Sequence, residues 1–106
     1  MAKRAYELIY DREEKTHLES IDRKFYSLIR DTLWEHLSHE PEVETRNRKP
    51  MRRPNVLGTE WELRFGPDNR FRAYYGVDAS RREVHILAIG HKKGSSLYIG
   101  RSRFMK

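Results

Sequence analysis

Cationic and titratable side chains stand together at the end of an apolar segment late in the sequence. The segment AIGHKKGSSLYIG, residues 88–100, leads from apolar residues into His91, Lys92 and Lys93 and reaches Tyr98 after two serines. Neighbouring cations bind phosphate through charge-assisted hydrogen bonds, and a histidine with an unperturbed pKa of about 6.5 exchanges protons near neutral pH. The pattern indicates phosphate chemistry, with the solvation of a strand end as the simpler alternative.

Two arginines precede this group on segments in which charged and apolar residues alternate. Arg64 lies in EWELRFG, and Arg72 lies in RFRAYYGVD. Alternation predicts strands, and cross-strand neighbours on one face of a sheet lie about 5 Å apart. The planar guanidinium group also binds phosphate through two parallel hydrogen bonds, which lysine cannot do. We therefore expect Arg64, Arg72, the group 91–93 and Tyr98 to converge on one site.

A second group of cations lies in the segment 41–59, which is predicted to be a loop because it contains Pro50, Pro54 and Gly58. Its cations are Arg46, Arg48, Lys49, Arg52 and Arg53. A loop of this length in a small domain is more often functional than idle, although a basic run is also typical of a solvated connection.

Composition restricts the class of protein. The 106 residues include 22 Lys and Arg against 16 Asp and Glu, a formal net charge of +6, which favours a polyanionic partner such as nucleic acid. The absence of cysteine excludes disulfides and thiolate metal sites. No apolar run approaches the roughly 20 residues of a membrane span. We expect one domain over residues 1–106, no membrane association and a cytoplasmic location.

The remaining elements predict an α+β fold. The segment 6–10 alternates like a strand, and apolar residues at spacings of three and four predict helices between Glu13 and His39, with Ser20 or Asp22 capping a break. EWELRFG, RFRAYYGVD and EVHILAIGH, joined by turns, predict three antiparallel strands. The expected fold is a small antiparallel sheet, the N-terminal strand plus a three-stranded C-terminal meander, packed against an N-terminal helical hairpin.

Other site chemistries have weaker support. The histidines lack the spacing of a metal site, apart from His36 and His39 near a helix end, so neither a metal nor a cofactor is expected. No glycine-rich loop connects a strand to a helix, which argues against nucleotide hydrolysis.

The order of the segments resembles the RelE/HigB-type toxins of bacterial toxin–antitoxin systems, in the RelE/ParE superfamily. The likeness extends from Tyr6 to about Phe104 and includes YELIYD, a helical hairpin, a basic loop, WELRF, NRFRAYYGVD, EVHILAIGHKKG and SSLYIG. Its most specific part is the series LR, FRAYY and GHKK with a tyrosine shortly after. The resemblance implies the small α+β fold that the patterning predicts.

The resemblance also implies an activity. Such toxins are metal-independent endoribonucleases that cut messenger RNA, commonly on the ribosome, and so inhibit translation. The ribose 2′-hydroxyl attacks its adjacent phosphate, which requires a base, cations around the phosphorane and an acid for the leaving oxygen. The implied catalytic residues are Arg64, Arg72, His91, Lys92, Tyr98 and Glu62, and Lys93 joins the basic loop in binding RNA.

The resemblance also implies a role for individual residues. Arg72 matches the arginine of the family's R-x-x-Y strand and is expected to hold the scissile phosphate, and Arg64 matches a second strand arginine. Lys92 lies where RelE proteins carry an arginine. Tyr98 lies on their C-terminal tyrosine, which would close over the phosphate or stack on a base.

Glu60 and Glu62 depart from the family pattern, because RelE carries lysines on this strand. A carboxylate base with a histidine acid, as in the YoeB branch, would suit Glu62 or Glu60 with His91. The alternative is an ion-pair network, because alternation places Glu60, Glu62 and Arg64 on one face of the strand.

Two other functions remain open. A ParE-like toxin would inhibit DNA gyrase by protein binding without cutting RNA, and a regulatory member would bind only its antitoxin and operator DNA. For the ribonuclease, the expected partners are a cognate antitoxin, messenger RNA and the ribosome, with operator DNA as a partner of the toxin–antitoxin complex. The basic loop and the helix cations Lys24 and Arg30 would contact ribosomal RNA, in a manner that weakens with salt.

Overall fold

The computed structural model describes residues 5–12, 14–51, 60–100 and 102–103. In these ranges the chain forms two α-helices and seven strands: β1 (Glu7–Tyr10), α1 (Glu14–Glu19), α2 (Tyr26–Leu37), β2 (Arg48–Pro50), β3 (Trp61–Phe65), β4 (Phe71–Asp78), β5 (Glu83–Lys93), β6 (Ser96–Ile99) and β7 (Ser102–Arg103). Short 3₁₀ turns at Arg23–Phe25 and Pro67–Asn69 precede α2 and β4. Neither of the helices described here is long and apolar enough to cross a membrane.

The strands form one sheet in which β5 is central. Strands β2 to β7 lie side by side in sequence order and are antiparallel, whereas β1 runs parallel to β5. One edge of β5 pairs with β4, and the other edge is shared by β1, beside residues 83–86, and β6, beside residues 90–93. The predicted α+β fold, with the N-terminal strand completing the meander, is therefore confirmed, although the sheet is larger than predicted.

The helical region breaks where the sequence predicts. α1 ends at Glu19, and Asp22 caps the 3₁₀ turn that leads into α2, because its Oδ1 accepts a hydrogen bond from the backbone amide of Lys24 at 3.0 Å. Such a cap satisfies an amide that has no partner within the turn. The Tyr26 hydroxyl donates to the carbonyl of Leu18 at 2.7 Å, which ties α2 to α1.

The hydrophobic core lies between α2 and one face of the sheet, which we call the helix side. α2 contributes Ile29, Leu33 and Leu37, whose spacing of four places them on one face of the helix. The sheet contributes Leu63, Phe65, Phe71, Ala73, Tyr75, Val84, Ile86 and Ile89. Because side chains alternate along a strand, these core positions also determine which residues face the opposite side of the sheet.

A one-residue shift in register occurs between β4 and β5. Tyr74 lies opposite Ala88, whereas Tyr75 lies opposite Ile86, so the pairing passes over Leu87. A bulge of this kind resets the alternation of the strand that contains it. Without the bulge, each residue of β5 after Leu87 would face the other side of the sheet.

Three short strands, β2, β6 and β7, are absent from the prediction. β2 lies inside the predicted loop 41–59, where Asn47 joins β3 through two bonds: its carbonyl accepts from the Arg64 amide at 2.9 Å, and its side-chain amide donates to the Arg64 carbonyl at 2.7 Å. β6 folds back on β5 through a turn at Gly94, whose φ of +61° favours glycine. These strands are too short for alternation to reveal them.

Candidate functional site

The face of the sheet opposite the helices carries Glu62, Arg64, Arg72, Tyr74 and Lys92, and we call it the arginine face. Arg64 lies directly opposite Arg72, and Glu62 lies directly opposite Tyr74. The residues between them on each strand belong to the core, so alternation directs these four side chains to the other side. The structure therefore brings the two predicted arginines together.

Glu62 is the buried carboxylate of this face. It is 4% exposed, and its Oε1 accepts a hydrogen bond from Nε of Arg64 at 2.7 Å. This is the ion pair that the sequence offers as an alternative to a catalytic role. Because the Arg64 side chain is 46% exposed, it can leave the carboxylate for an incoming anion without a change in the core.

Tyr74 is fully buried beside this ion pair. Burial raises the pKa of its hydroxyl, and the charge of Glu62 together with a hydrogen bond to it raises the pKa further, whereas Arg72 and Arg64 act in the opposite direction. Tyr74 is therefore a protonated neighbour of the carboxylate at neutral pH. The sequence prediction omitted Tyr74 from the site, although its alternation with Arg72 in RFRAYY was the available signal.

Arg72 is buried in the arginine face. It is 6% exposed, and its guanidinium group donates to the backbone carbonyls of Asn69 and Phe71. Burial lowers the pKa of Arg72, and the charge of Arg64 lowers it further, while Glu62 partly offsets both effects. Arginine remains protonated nonetheless. A buried cation beside a second cation is stabilised by any anion that binds between them.

Lys92 adds a third cation to this face. Arg72 lies opposite Gly90 on β5, and Lys92, two residues further along, points to the same side. The backbone amide of Lys92 donates to the carbonyl of Arg70 at 2.9 Å, which holds the end of β5 against the start of β4. Arg64, Arg72 and Lys92 are therefore the predicted cations that the structure places on one face.

His91 and Tyr98 lie on the helix side instead. His91 is opposite Phe71 on β4 and opposite Tyr98 on β6, and Phe71 belongs to the core. The rings of His91 and Tyr98 stack with their centroids 6.0 Å apart. The seven-residue spacing between them marks a hairpin, and the structure does not bring either ring to Arg72 as the sequence predicted.

His91 is a buried, neutral ring. It is 6% exposed, and its Nδ1 has no hydrogen-bond partner among the residues that the structure describes. Burial lowers its pKa, and the charges of Lys93 and Arg70 lower it further. Its protonated form is therefore scarce at neutral pH unless an anion binds nearby.

The basic segment offers two exposed cations in its described part. Arg46 and Lys49 are exposed, and Nζ of Lys49 lies 3.3 Å from the carboxylate of Glu44. Lys49 lies opposite Glu62, which places it beside the arginine face. Arg52 and Arg53, also predicted to bind RNA, lie outside the described residues.

Arg48, which the sequence predicts to bind RNA, lies apart from this exposed surface. It lies opposite Leu63 on the helix side and is 7% exposed. Its guanidinium group donates to the backbone carbonyl of His36 in the last turn of α2. A cation is favourable there because the carbonyls at the end of a helix carry partial negative charge. Arg48 therefore joins β2 to α2.

The arginine face combines a carboxylate, a phenol and three cations. Such cations bind a phosphate, and a carboxylate accepts a proton from a hydroxyl placed next to it. Over the described ranges of the chain, no group of three or more His, Asp or Glu side chains is arranged to hold a metal ion. The face therefore suits acid–base chemistry on a phosphate ester.

One comparison with known proteins bears on this chain. No protein-family model matches it, and no curated protein matches it. It is similar to a chain in the crystal structure of the toxin–antitoxin complex RelBE2 from Mycobacterium tuberculosis, with a TM-score of 0.68, 23% sequence identity, and coverage of 86% of this chain and 95% of that chain. The similarity is one of fold, and it confirms the RelE-like architecture that the motifs implied.

Proposed function

We propose that this protein is a RelE-type toxin of a toxin–antitoxin module and a metal-independent endoribonuclease that cuts messenger RNA. The observation that carries the proposal is the direct pairing of Arg64 with Arg72 across β3 and β4, with Glu62 and Lys92 on the same face. The RelE-like fold supports it, because the similar structure is that of a toxin–antitoxin complex.

In the proposed mechanism the scissile phosphate binds between Arg72 and Arg64. An anion at this place offsets the repulsion between two cations that the sheet holds on adjacent strands. The hydrogen bonds to the phosphate strengthen as the phosphorane forms, because negative charge accumulates on its oxygens. The two arginines therefore stabilise the transition state more than the ground state.

Phosphate binding also releases Glu62. In the free protein Arg64 donates to this carboxylate, and the phosphate competes for the same guanidinium group. Glu62 then takes the proton of the 2′-hydroxyl while the 2′-oxygen bonds to phosphorus. The bond between phosphorus and the 5′-oxygen breaks, and Lys92 gives that oxygen a proton. The products are a 2′,3′-cyclic phosphate and a free 5′-hydroxyl.

The ribosome is the proposed setting of the cut, which places the protein in the cytoplasm. The exposed cations that would contact ribosomal RNA are Lys24, Arg30, Arg46 and Lys49, and this contact would weaken as salt rises because each phosphate contact releases counterions. A cognate antitoxin would inhibit the enzyme by binding an acidic peptide segment over the arginine face.

The test is to induce the protein briefly in bacterial cells that lack an antitoxin and to map new 5′ ends across the transcripts. We expect cuts inside translated regions that follow the reading frame in the wild type and disappear in Arg72→Ala. Arg81→Ala is the matched control, because Arg81 lies in the turn between β4 and β5 with a side chain 75% exposed; it should cut as the wild type does.

Two outcomes would contradict the proposal in different ways. Growth arrest with whole transcripts and a DNA-damage response would indicate gyrase inhibition of the ParE kind. Unchanged cutting by Arg72→Ala would leave a ribonuclease in place but would remove Arg72 from its site.

A further inference from the structure

A cleft of about 350 Å³ lies at the strand end next to the arginine face. It separates the turn before α2 from the ends of β4 and β5. The side chains that matter for its chemistry are those of Asp22, Phe25, Arg70, His91, Lys92 and Lys93, and we call this site the strand-end cleft. Of these, only Lys92 has a place in the proposed mechanism.

One wall of the strand-end cleft is an aromatic ring covered by cations. Phe25 packs with its edge against Phe71, with ring centroids 5.2 Å apart. The guanidinium carbon of Arg70 lies 5.5 Å from the centre of the Phe25 ring, and Nζ of Lys24 lies 5.2 Å from it. Unpaired bases stack on aromatic rings and on guanidinium planes of this kind.

His91 and Lys93 line the strand-end cleft from β5, and both contact Tyr98 on β6. His91 stacks on Tyr98, and Nζ of Lys93 lies 5.8 Å from the centre of the Tyr98 ring. β5 therefore adds the cation Lys93 and the ring of His91 to a cleft that Phe25 and Arg70 line from the other elements.

The charges in the strand-end cleft are mixed. Arg70 and Lys93 supply two cations, and Asp22, on the turn before α2, supplies a carboxylate whose Oδ1 accepts from the Lys24 amide. Cations suit a phosphate, whereas a carboxylate accepts hydrogen bonds from the amino groups on the edge of a base. An acidic peptide would gain from the cations but would be repelled by Asp22.

We infer that the strand-end cleft binds an unpaired nucleotide of the RNA strand next to the scissile phosphate, with its base against the Phe25 ring and the Arg70 guanidinium group that covers it, and its phosphate at Lys93. The inference rests on the proposed function. Lys92 faces the arginine face while His91 and Lys93 face the helix side, so β5 itself joins the two sites. Gly90 lies opposite Arg72, and Lys93 lies three residues, or about 10 Å, further along the strand. Neighbouring nucleotides of one RNA strand can therefore occupy the arginine face and the strand-end cleft.

The test measures binding without cleavage. The probe is a short single-stranded RNA in which every ribose is 2′-O-methylated, so that no 2′-hydroxyl is available to attack, and its binding to the full chain is followed by fluorescence anisotropy over a range of salt. The variants are Arg70→Gln, Lys93→Gln and the two combined, and Arg81→Gln is the control for loss of one exposed charge. Arg70 and Lys93 are exposed, so these changes leave the core intact.

We expect the combined variant to bind about tenfold more weakly, and each lost phosphate contact to reduce the slope of log affinity against log salt by roughly 0.7. Arg81→Gln should bind as the wild type does. A probe that carries 4-thiouridine should cross-link to the segments 20–25 and 91–94, as mapped by mass spectrometry.

Two results would overturn the inference. One is equal loss of affinity in Arg81→Gln and the combined variant, with cross-links confined to other segments. The other is strong binding of an acidic peptide in place of the RNA probe. Failure of the proposed function would give a different result from either of these. A protein that binds the probe in the cleft but cuts no transcript is not a ribonuclease, and the inference that its cleft binds a nucleotide would still hold.

Discussion

Tyr74 and Tyr75 are neighbours in sequence and equally buried, yet they lie on opposite faces of the sheet. The Tyr75 hydroxyl donates to the carbonyl of Pro41 at 2.7 Å, and its ring stacks near Trp61. Tyr74 lies opposite Glu62. Burial raises the pKa of both hydroxyls. On the helix side, the Tyr75 hydroxyl therefore bonds the backbone and stabilises the fold. On the arginine face, the Tyr74 hydroxyl lies among polar side chains that are not part of the hydrophobic core.

Two buried arginines, one on each face of the sheet, differ in the same way. Arg48, on the helix side, donates to the carbonyl of His36 at the end of α2, where a cation is favourable. Arg72, on the arginine face, lies opposite Arg64; burial lowers the pKa of Arg72, and the charge of Arg64 lowers it further. A cation placed next to a like charge is less stable than it would be alone, and a bound anion reverses that effect. The first arginine stabilises the fold, and the second is the one that we propose binds the phosphate.

The largest effect should come from Arg72→Lys. Lysine keeps the charge but loses the planar fork that holds a phosphate through two bonds, so we expect cleavage to fall about 100-fold or more, the range seen when one preorganised donor to a transition state is removed. Because the lysine ammonium group can still donate to one of the carbonyls that Arg72 bonds, those of Asn69 and Phe71, the unfolding free energy should fall by only about 1 kcal/mol. Single-turnover cleavage and urea unfolding measure the two quantities, and cleavage at the wild-type rate would refute the assignment.

Arg48→Met should show the reverse pattern. The long apolar side chain preserves packing but leaves the carbonyl of His36 without its charged donor, which should reduce the unfolding free energy by about 1–3 kcal/mol. Cleavage by the folded fraction should not change. Arg46→Met, on the exposed part of the same segment, is the control and should stay within about 0.5 kcal/mol. Equal urea midpoints for both variants would show that the bond to α2 contributes nothing.

The contrast between the two faces of the sheet could be predicted on β3 and β4, because charged and apolar residues alternate along both strands. WELRF and FRAYY place Arg64, Arg72 and Tyr74 together, and the core on the other face enforces that register. The spacing of apolar residues in α2 likewise predicted its buried stripe. β2 and β6 could not be found in this way, because their few residues are held by pairing with a neighbour rather than by a pattern of their own.

The position of His91 could not be predicted, for a reason that lies in β5. The run VHILAIGH is apolar almost throughout, so it contains no alternation that could reveal a bulge. The shift at Leu87 moves His91 to the helix side and Lys92 to the arginine face; without it, the two would exchange sides. A single unpaired residue therefore separates the predicted site into the arginine face and the strand-end cleft.

The tyrosine pair gives a smaller and matched test. Tyr75→Phe removes a buried hydroxyl from the carbonyl of Pro41 and should cost about 1 kcal/mol of unfolding free energy, with no change in cleavage. Tyr74→Phe removes a hydroxyl from the surroundings of Glu62 and should slow cleavage several-fold, by less than the roughly 100-fold expected at Arg72. A loss of cleavage in Tyr75→Phe that exceeds the loss in Tyr74→Phe would show that the two faces do not divide the work as described.

The smallest effect should be the pH dependence that His91 gives to stability. The groups around its ring are the cations Lys93, Arg70 and Lys92, the phenol of Tyr98 and the carboxylate of Asp22. Burial and these cations hold the pKa of His91 below its ordinary value of 6.5. Well above pH 6.5 the ring is neutral in both states and contributes nothing. As pH falls below 6.5 the unfolded chain takes up the proton first, so the folded state loses stability until the pH passes the lower, folded pKa.

Urea unfolding of the wild type and of His91→Gln over this pH range measures the contribution. The difference between them should grow only below pH 6.5, the ordinary value, and each unit of pKa depression corresponds to about 1.36 kcal/mol. Addition of the methylated RNA should shrink the wild-type loss, because a phosphate in the strand-end cleft favours the protonated ring. If the two proteins lose stability in parallel, His91 is not depressed in the folded state; if RNA leaves the loss unchanged, the phosphate does not approach the ring.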